Sequence, residues 1–231
     1  MSDVAAIVLA AGASVRMGRN KLLLDLGGES VVRRAVRKAG EAGMSPVVVV
    51  TGHERGAVEA ELHGIGCRAV YNAEHATGQH TSVGAGIAAV DGAEGCAAAV
   101  VVLADMPFVT AAMLRAVATR YRETGAPLVL SRYGGETIAP PMLYDRSLFG
   151  ELLRMDRRCG REVARRHRAE AVVLDWPAEA LRDLDSPEDY ERARLEVEDG
   201  VAGAARARGA MDGAARVSAL AGAAEESATR G

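Results

Sequence analysis

The chain has 231 residues, of which 49% are hydrophobic and 26% are charged, an ordinary balance for a globular protein with a large core. A formal net charge of −3 argues against nucleic acid or an anionic membrane as a partner, and no apolar run approaches the roughly 20 residues that span a bilayer. The three cysteines lack metal-ligand spacing and no secretory signal is recognisable, so we expect a cytoplasmic protein.

The first predicted element is a buried strand, Val4–Ala10, which runs into a loop of small residues. The loop contains Gly12 and two cations, Arg16 and Lys21. Open backbone N–H groups and fixed positive charge after a strand are typical of a phosphate site. Neither a Walker A loop nor a dinucleotide fingerprint fits, because Lys21 is not followed by Ser or Thr and no glycine lies between Gly12 and Gly18. An ordinary turn with surface cations is the alternative.

Apolar β-branched runs then alternate with segments whose apolar residues are spaced three and four apart. The runs predict strands at Pro46–Thr51, Arg68–Tyr71, Ala97–Leu103 and Pro127–Ser131, and the spaced segments predict helices at Val31–Ala42, Ala57–His63, Ser82–Val90 and Ala111–Glu123. Strands such as Val47–Val50 are apolar on both faces, as a parallel sheet between two helical layers requires. The predicted fold is therefore α/β, a doubly wound and mostly parallel sheet, with ligands at the carboxyl ends of its strands.

A polar segment follows the third of these strands. Asn72 ends the strand, Gly78 precedes a helix, and Ser82 lies in the first turns of that helix. A glycine, hydroxyl groups and a helix start can frame a nucleotide base or sugar, so these residues join the predicted nucleotide site. For His80, a helix cap or a solvated side chain is favoured over contact with a phosphate.

Asp105 directly follows the apolar run Val100–Ala104 and precedes Met106. A carboxylate at the end of a central strand suits a hard cation, because Mg²⁺ takes one or two carboxylates together with water and phosphate oxygens. A turn acid or helix cap is the alternative. Asp185, just before Ser186, is the candidate second carboxylate, and a capping acid is again the alternative.

The pattern changes after Ser131. Ile138–Tyr144 contains two prolines and is predicted to be an edge or crossing strand. The remaining predictions are helical segments and a short strand, at Asp145–Leu153, Glu162–Arg168, Ala171–Leu174 and from Ser186 onward. Residues 200–231 are rich in Ala and Gly, so we expect one domain over residues 1–199 and a mostly disordered tail.

The stretch Leu9–Lys21 reads Leu-Ala-Ala-Gly-Ala-Ser-Val-Arg-Met-Gly-Arg-Asn-Lys. It resembles the N-terminal motif of the MobA-like nucleotidyltransferases that activate molybdopterin, and most of all the molybdenum cofactor cytidylyltransferase branch. The related guanylyltransferases usually carry a second glycine where Ala11 stands. The resemblance continues to about Leu195. It implies a nucleotidyltransferase domain of Rossmann-like, GT-A-like fold, whose nucleotide site is formed by Leu9, Ala10, Ala11, Gly12, Ala13, Arg16, Lys21, Asn72, Gly78 and Ser82.

The resemblance also implies the chemistry. Asp105 and Asp185 would hold Mg²⁺, while Arg16, Lys21 and Asp105 would act in catalysis. The reaction would join CTP and the molybdenum cofactor, giving the cytosine dinucleotide cofactor and pyrophosphate. The product is the form used by an apo-enzyme of the xanthine dehydrogenase type.

The chain departs from the family pattern on the acceptor side. Gln79 replaces the usual methionine, and Asp156–Arg161 is a stretched form of a family motif, with one residue inserted before Gly160. Its arginines, Arg157, Arg158 and Arg161, fit either an anionic substrate or a basic surface helix. Pro140–Leu143 resembles the segment beneath the pterin. Three alternatives therefore stay open: a guanylyltransferase, a transferase acting on another phosphorylated acceptor such as a sugar phosphate, and a non-catalytic nucleotide- or cofactor-binding protein.

Overall fold

The computed structural model describes residues 3–93, 95–154 and 159–199. Its strands are β1 (Asp3–Ala10), β2 (Val47–Thr51), β3 (Arg68–Tyr71), β4 (Cys96–Leu103), β5 (Leu128–Tyr133), β6 (Thr137–Asp145) and β7 (Ala171–Trp176). Its helices are α1 (Val31–Glu41), α2 (Arg55–Glu61), α3 (Gln79–Asp91), α4 (Ala111–Thr124), α5 (Phe149–Leu153), α6 (Cys159–Arg166) and α7 over residues 187–199. In the described part of the chain, no helix is both long and apolar enough to cross a membrane.

The described strands form one sheet in the order β3-β2-β1-β4-β6-β5-β7. All neighbours pair in parallel except β6, which is antiparallel to both β4 and β5. The chain winds outward from β1 to β3, then returns to add β4 on the other side of β1. The carboxyl ends of β1 and β4 therefore lie side by side at the point where the winding direction reverses, with Leu9 opposite Leu103.

Of the two alternatives predicted for Ile138–Tyr144, an edge strand or a crossing strand, the edge strand is wrong, because β6 lies in the interior of the sheet. Its prolines are tolerated for a local reason. Only Met142–Asp145 pairs with β4, while the preceding half of the strand pairs with β5 alone. Pro140 and Pro141 lie where the β5–β6 register shifts, so neither is required to donate to two neighbours. The same irregularity is bridged by the Ser131 hydroxyl, which donates to the Pro141 carbonyl at 2.7 Å.

The sheet has an apolar layer on each face, as the doubly apolar strands predict. Alternate residues of β1 face opposite layers: Val4, Ala6 and Val8 pack with α1, α2, α4 and α7, whereas Ala5, Ile7 and Leu9 pack with α3, α5 and α6. The predicted α/β architecture, with helices on both faces of a mostly parallel sheet, is confirmed.

Helices α1, α4 and α7 begin at side-chain caps that the sequence carries. Ser30 caps α1 and Thr110 caps α4, each accepting a hydrogen bond from a backbone N–H three residues later. At α7, Ser186 and Asp189 cap each other reciprocally, since the Ser186 hydroxyl accepts from Asp189 N–H and the Asp189 carboxylate accepts from Ser186 N–H.

Helix α7 returns to the beginning of the chain. The Tyr190 hydroxyl donates to the Asp25 carbonyl at 2.7 Å, and the Arg19 guanidinium lies 5.8 Å from the centre of the Tyr190 ring. The last described helix therefore packs against the segment that follows the cationic loop. The predicted tail at 200–231 and the residues Asp156, Arg157 and Arg158 lie outside the described residues, as does the side chain of Arg161.

Candidate active site

A cleft of about 200 Å³ lies at the carboxyl ends of β1 and β4, where the winding direction reverses. Its walls come from the β1 strand and loop, the end of β4, and the segment between β3 and α3. The lining residues are Leu9, Ala11, Gly12, Ser14, Lys21, Leu22, His75, Gln79, Ser82, Leu103 and Asp105. The topology therefore brings together residues that the sequence separates widely.

The loop after β1 is folded by hydrogen bonds among its own residues. The Ser14 hydroxyl accepts from the Lys21 backbone N–H at 3.2 Å, and the Ser14 carbonyl accepts from Met17 N–H at 3.0 Å. Asn20 Oδ1 accepts from Leu22 N–H at 3.1 Å. Ser14 has a left-handed backbone with φ of 49°. These contacts close the loop and direct the Lys21 side chain into the cleft.

The same loop leaves backbone donors open. The Ala11 carbonyl accepts from His53 N–H at 3.3 Å, which fixes the loop to the end of β2. The N–H groups of Gly12 and Ala13 form no hydrogen bond with the described residues, and both residues are exposed. Open amides beside a lysine are the elements from which proteins build phosphate sites.

Four charged side chains meet at the cleft. Lys21 Nζ lies 2.5 Å from Asp105 Oδ2 and 3.1 Å from Asp185 Oδ1. The other oxygen of Asp185, Oδ2, accepts from Arg16 at 2.5 Å. Lys21 is enclosed, with 12% of its side chain exposed, whereas Arg16 is 75% exposed. The two predicted cations and the two predicted carboxylates thus form one chain of contacts.

The carboxylates of this cluster keep Lys21 in its charged form. Burial opposes the charge on Lys21, but the charges and hydrogen bonds of Asp105 and Asp185 outweigh it and raise the pKa of Lys21 above its ordinary value. Burial, followed by the negative charges of Asp185 and Asp105, raises the pKa of Asp183. Three carboxyl groups therefore influence one another here, and Lys21 is charged at neutral pH.

The carboxylates of Asp105 and Asp185 fit a hard divalent cation. Because Lys21 Nζ contacts both, an oxygen of each carboxylate faces the same space. Their backbones are also tied together, since Leu184 N–H donates to the Asp105 carbonyl at 3.1 Å. Two convergent carboxylates beside a phosphate loop are the protein ligands that Mg²⁺ typically takes.

Asn72, predicted to bind the nucleotide, supports the cleft wall through hydrogen bonds and is not among the residues that line the cleft. Its Nδ2 donates to the hydroxyls of Thr81 and Ser82 at 2.8 and 3.0 Å, and its Oδ1 accepts from Glu74 N–H. The buried Asn72 therefore orients Ser82, which does line the cleft. Gly78 lies at the start of the same helix, where its carbonyl accepts from the Thr81 hydroxyl.

His75 and Gln79 line the cleft but were not included in the predicted site. His75 packs over Gly52: a Cβ atom at residue 52 would lie 2.7 Å from the His75 ring and 2.8 Å from the Ala11 methyl group. Glycine at residue 52 is thus what permits this close packing. Only the position of His75 in the sequence could have indicated it as a site residue, because it follows the end of a strand that faces the ligand crevice. His80 is absent from the residues that line the cleft.

A smaller cavity of about 50 Å³ adjoins the cleft and shares Leu9, Gln79 and Leu103 with it. The rest of its lining is Val83, Val101, Pro140, Met142, Tyr144 and Gly160. The Tyr144 hydroxyl donates to the Gly160 carbonyl at 3.2 Å, which joins β6 to α6. Gln79 therefore stands between a charged compartment and an apolar one.

The family model of the MobA-like NTP transferase domain matches residues 6–172. The chain belongs to the MobA-like NTP transferase family. The matched stretch includes the cationic loop, Asp105 and β6, whereas Asp185 follows it in the chain.

Similar proteins agree with this membership. The purine catabolism protein PucB of Bacillus subtilis is 31% identical over 203 residues, covering 81% of this chain and 94% of PucB. The bifunctional enzyme IspD/IspF of Anaeromyxobacter sp. is 42% identical over 127 residues, which is 54% of this chain and 32% of that enzyme. The chain thus spans about a third of the length of that relative. A solved nucleotidyl transferase of Methanothermobacter, Mth528, is 25% identical, with a TM-score of 0.72 over 87% of this chain and 100% of that one.

The fold, the family match and these relatives agree that the chain belongs to the MobA-like NTP transferase family. Of the residues predicted for the site, the structure brings Leu9, Ala11, Gly12, Lys21, Ser82 and Asp105 into the cleft lining, and Arg16 and Asp185 contact this group through their ion pairs. Ala10, Ala13, Asn72 and Gly78 flank it. Ser14, His75 and Gln79 are lining residues that sequence reasoning missed.

Proposed function

We propose that this protein transfers a cytidylyl group from CTP to the terminal phosphate of the molybdenum cofactor, in a Mg²⁺-dependent reaction that releases pyrophosphate. The observation that carries this proposal is the contact of one nitrogen, Lys21 Nζ, with both Asp105 and Asp185 beside the open amides of Gly12 and Ala13. Nucleotidyl transfer depends chiefly on positioning and charge neutralisation, and this cluster offers both.

The β1 loop binds the triphosphate in this proposal. The amides of Gly12 and Ala13 donate to phosphate oxygens, and Lys21 and Arg16 neutralise the β- and γ-phosphates. These cations exchange their carboxylate partners for the phosphates when the nucleotide binds. The carboxylates of Asp105 and Asp185, freed from Lys21, then hold Mg²⁺, which when bound neutralises charge at the α-phosphate.

The reaction itself is an in-line displacement. A terminal phosphate oxygen of the acceptor forms a bond to the α-phosphorus of CTP as the bond to the leaving pyrophosphate breaks. The attacking phosphate is already anionic, so no protein base is needed and none is assigned. Lys21 stays beside the β- and γ-phosphates and stabilises the charge that develops on the leaving group.

The close packing of Ala11, Gly52 and His75 is the structural argument for cytosine as the preferred base. The Ala11 methyl group and the His75 ring are packed closely over Gly52, which reduces the room on this side of the cleft. In the family pattern, guanylyltransferases usually carry a glycine at the position of Ala11. A methyl group there favours the smaller cytosine ring over guanine.

The molybdenum cofactor is proposed as the acceptor because of the apolar cavity beside Gln79. Pro140 and Met142 line it, and they belong to the segment that resembles the one beneath the pterin in the family. One relative is named a purine catabolism protein, and xanthine is a purine. The product is accordingly proposed to serve an apo-enzyme of the xanthine dehydrogenase type.

A second candidate acceptor is a smaller phosphorylated molecule such as a sugar phosphate. The cavity beside the cleft, at about 50 Å³, is small compared with the several hundred Å³ typical of sites that enclose a large organic ligand. This observation favours the smaller acceptor, while the resemblance of the β6 segment favours the pterin.

The test is a pyrophosphate-release assay with the full chain, Mg²⁺ and either CTP or GTP, with the molybdenum cofactor or a panel of sugar phosphates as acceptor. We expect release with CTP and the molybdenum cofactor together and little with either alone. Release with GTP only would replace the cytidylyl assignment, and release with a sugar phosphate only would establish the second candidate. No release in any combination would favour the non-catalytic binding protein.

Nucleotide choice can be measured separately from catalysis. A ligand that binds only the folded state raises the unfolding temperature by mass action. With Mg²⁺ present, CTP is expected to raise it more than GTP, ATP or UTP at equal concentration. An equal rise with all four nucleotides would contradict the base selectivity proposed for the wall at Ala11.

A further inference from the structure

Lys38, on helix α1, binds the turn that carries Asp105. Its ammonium group donates to the Pro107 carbonyl at 2.5 Å and to the Val109 carbonyl at 2.7 Å. Within the described residues, these two carbonyls have no other hydrogen-bond donor. A single side chain therefore connects α1, which follows the cationic loop, to the turn after β4.

The surroundings of Lys38 are unfavourable for a cation. Burial, followed by the positive charges of Arg34 and Arg37, lowers the pKa of Lys38 to about 7, against the opposing charges of Glu29 and Glu41. An ammonium group removed from water has to regain its hydrogen bonds from the protein. The two carbonyls of the turn are the partners that it finds.

Apart from the packing of Met106 and Val109 and the Arg182–Phe108 contact, few other hydrogen bonds fix the shape of the turn. Two backbone hydrogen bonds within it are long, at 3.3 and 3.4 Å, and Pro107 has no N–H to contribute. The Asp105 carbonyl accepts from Leu184 N–H at 3.1 Å. The two hydrogen bonds from Lys38 are therefore the shortest that hold this turn among the described residues.

We infer that Lys38 is a positioning residue for the metal site: it holds the turn after β4 so that the Asp105 carboxylate is presented in the geometry that a divalent cation requires. The inference rests on the metal role proposed for Asp105. Lys38 contacts neither the cleft nor its carboxylates, so it acts only through the backbone of residues 107 and 109. Removal of a group that orients a metal ligand typically weakens metal binding about 10- to 100-fold.

The test uses Lys38→Met in the full chain, which keeps the length of the side chain and removes the donors. Mn²⁺ replaces Mg²⁺ as an observable probe, and free Mn²⁺ is counted by electron paramagnetic resonance in the presence of CTP. We expect the Kd for Mn²⁺ to rise about tenfold, while the Kd for CTP measured without metal stays unchanged. Activity assays should show the matching split, with a higher metal requirement and an unchanged KM for CTP at saturating metal.

Arg115→Met is the matched control. Arg115 is likewise a cation that donates to a backbone carbonyl at α1, because its Nη2 reaches from α4 to the Glu41 carbonyl at 2.8 Å, but it forms no hydrogen bond with the Asp105 turn. It should leave Mn²⁺ binding unchanged. Should Lys38→Met fail to fold, Lys38→Leu, which also removes the donors, is expected to raise the Kd in the same direction.

An unchanged Kd for Mn²⁺ in a folded Lys38 variant, or an equal rise in the Arg115 control, overturns the inference and leaves the proposed function standing. A wild-type protein that binds no Mn²⁺ in the presence of CTP would instead overturn the metal site, and this inference with it.

Discussion

The two compartments at the carboxyl edge of the sheet are built in contrasting ways. The cleft at the ends of parallel strands β1 and β4 is the proposed nucleotide compartment, and its cationic loop and carboxylates are linked by ion pairs. The adjoining cavity over β6, the antiparallel strand, is the proposed acceptor compartment; its lining is largely apolar, and the Tyr144 hydroxyl donates to α6. Gln79 lies in the walls of both.

From this contrast we expect the charged compartment to determine the rate of the reaction and the apolar compartment to determine the choice of acceptor. Charge neutralisation at a triphosphate needs fixed charges, and only a few residue types can supply them. An apolar cavity can change its shape with small substitutions and still exclude water. We therefore expect changes in the nucleotide compartment to abolish turnover, and changes in the acceptor compartment to alter which acceptor is used and at what concentration.

The largest effect is expected for Asp105→Asn. The substitution keeps the shape of the side chain and removes the charge that faces Lys21, so metal-assisted charge stabilisation is lost. We expect kcat to fall about a thousandfold or more, on the order of 4 kcal/mol in activation free energy. Pyrophosphate release under saturating CTP and Mg²⁺ measures this effect.

Asp175→Asn is its control, because Asp175 is an acid on β7 that pairs with Arg132 away from the cleft. It should retain wild-type turnover. An Asp105→Asn enzyme with near wild-type kcat would show that the carboxylate is a turn acid, and the contrast between compartments would lose its main support.

Lys21→Ala is expected to lower kcat/KM for CTP about ten- to a hundredfold, since the cation that faces the triphosphate is removed. Arg19→Ala removes a cation from the same loop that packs over Tyr190, so it should change kcat/KM little. Steady-state kinetics with CTP as the varied substrate distinguish the two. Unchanged KM and kcat in Lys21→Ala would mean that its role is misassigned.

In the acceptor compartment, Gly160→Ala would place a Cβ atom 2.7 Å from the Tyr144 hydroxyl oxygen, so the ring or α6 has to shift. The acceptor KM is expected to rise several-fold, while the thermal shift produced by CTP stays as in the wild type. The comparison variant is Gly150→Ala, whose added Cβ meets only the end of the flexible Arg154 side chain at 3.4 Å. Weaker CTP binding in Gly160→Ala would show that the compartments are not separable.

The smallest effect concerns the helices behind the acceptor compartment. His167 contacts Glu151 at 2.9 Å and Glu170 at 3.1 Å, and these hydrogen bonds raise the pKa of His167 above 6.5. Because the folded-state pKa is the higher one, the stabilisation is complete below pH 6.5 and is lost as the pH rises through the folded-state value. His167→Gln should therefore cost up to about 1 kcal/mol of unfolding free energy at pH 6.

That cost should disappear at pH 9. Urea denaturation at both pH values measures it, with the exposed His63→Gln as the reference for removing a histidine. An equal cost at both pH values would assign the contribution of His167 to packing and not to its charge.

The sequence was most informative where only a few residue types can fill a structural or chemical role. The doubly apolar run at Val47–Val50 predicted a strand between two helical layers, and the structure confirms it. Lys21 and Asp105 were expected at strand ends, and parallel strands place their carboxyl ends on one edge of a sheet. The proximity of these two residues therefore follows from the winding order, even though their roles stay predictions.

Sequence reasoning was weaker where spatial neighbours decide the outcome. The prolines of β6 suggested an edge, because periodicity does not reveal that β4 pairs with only half of that strand. Asn72 was predicted to bind the nucleotide, and nothing in the sequence indicated that its amide donates to the Ser82 hydroxyl. His75 carries no motif and gains its place only from the close packing on Gly52.

The return of α7 to the start of the chain has a consequence for dissecting this protein into pieces. Asp185, which meets Arg16 and Lys21, and Tyr190, which meets the Asp25 carbonyl, both follow the last strand of the sheet. A fragment that stops after β7 would contain every strand that the structure describes and still lack Asp185, one of the two proposed metal ligands. Such a truncation also removes Leu184, Tyr190 and Val197 from the apolar layer, so it should lose stability as well as turnover. Adding residues 177–199 back as a separate peptide would restore both only if that peptide docks onto the cationic loop.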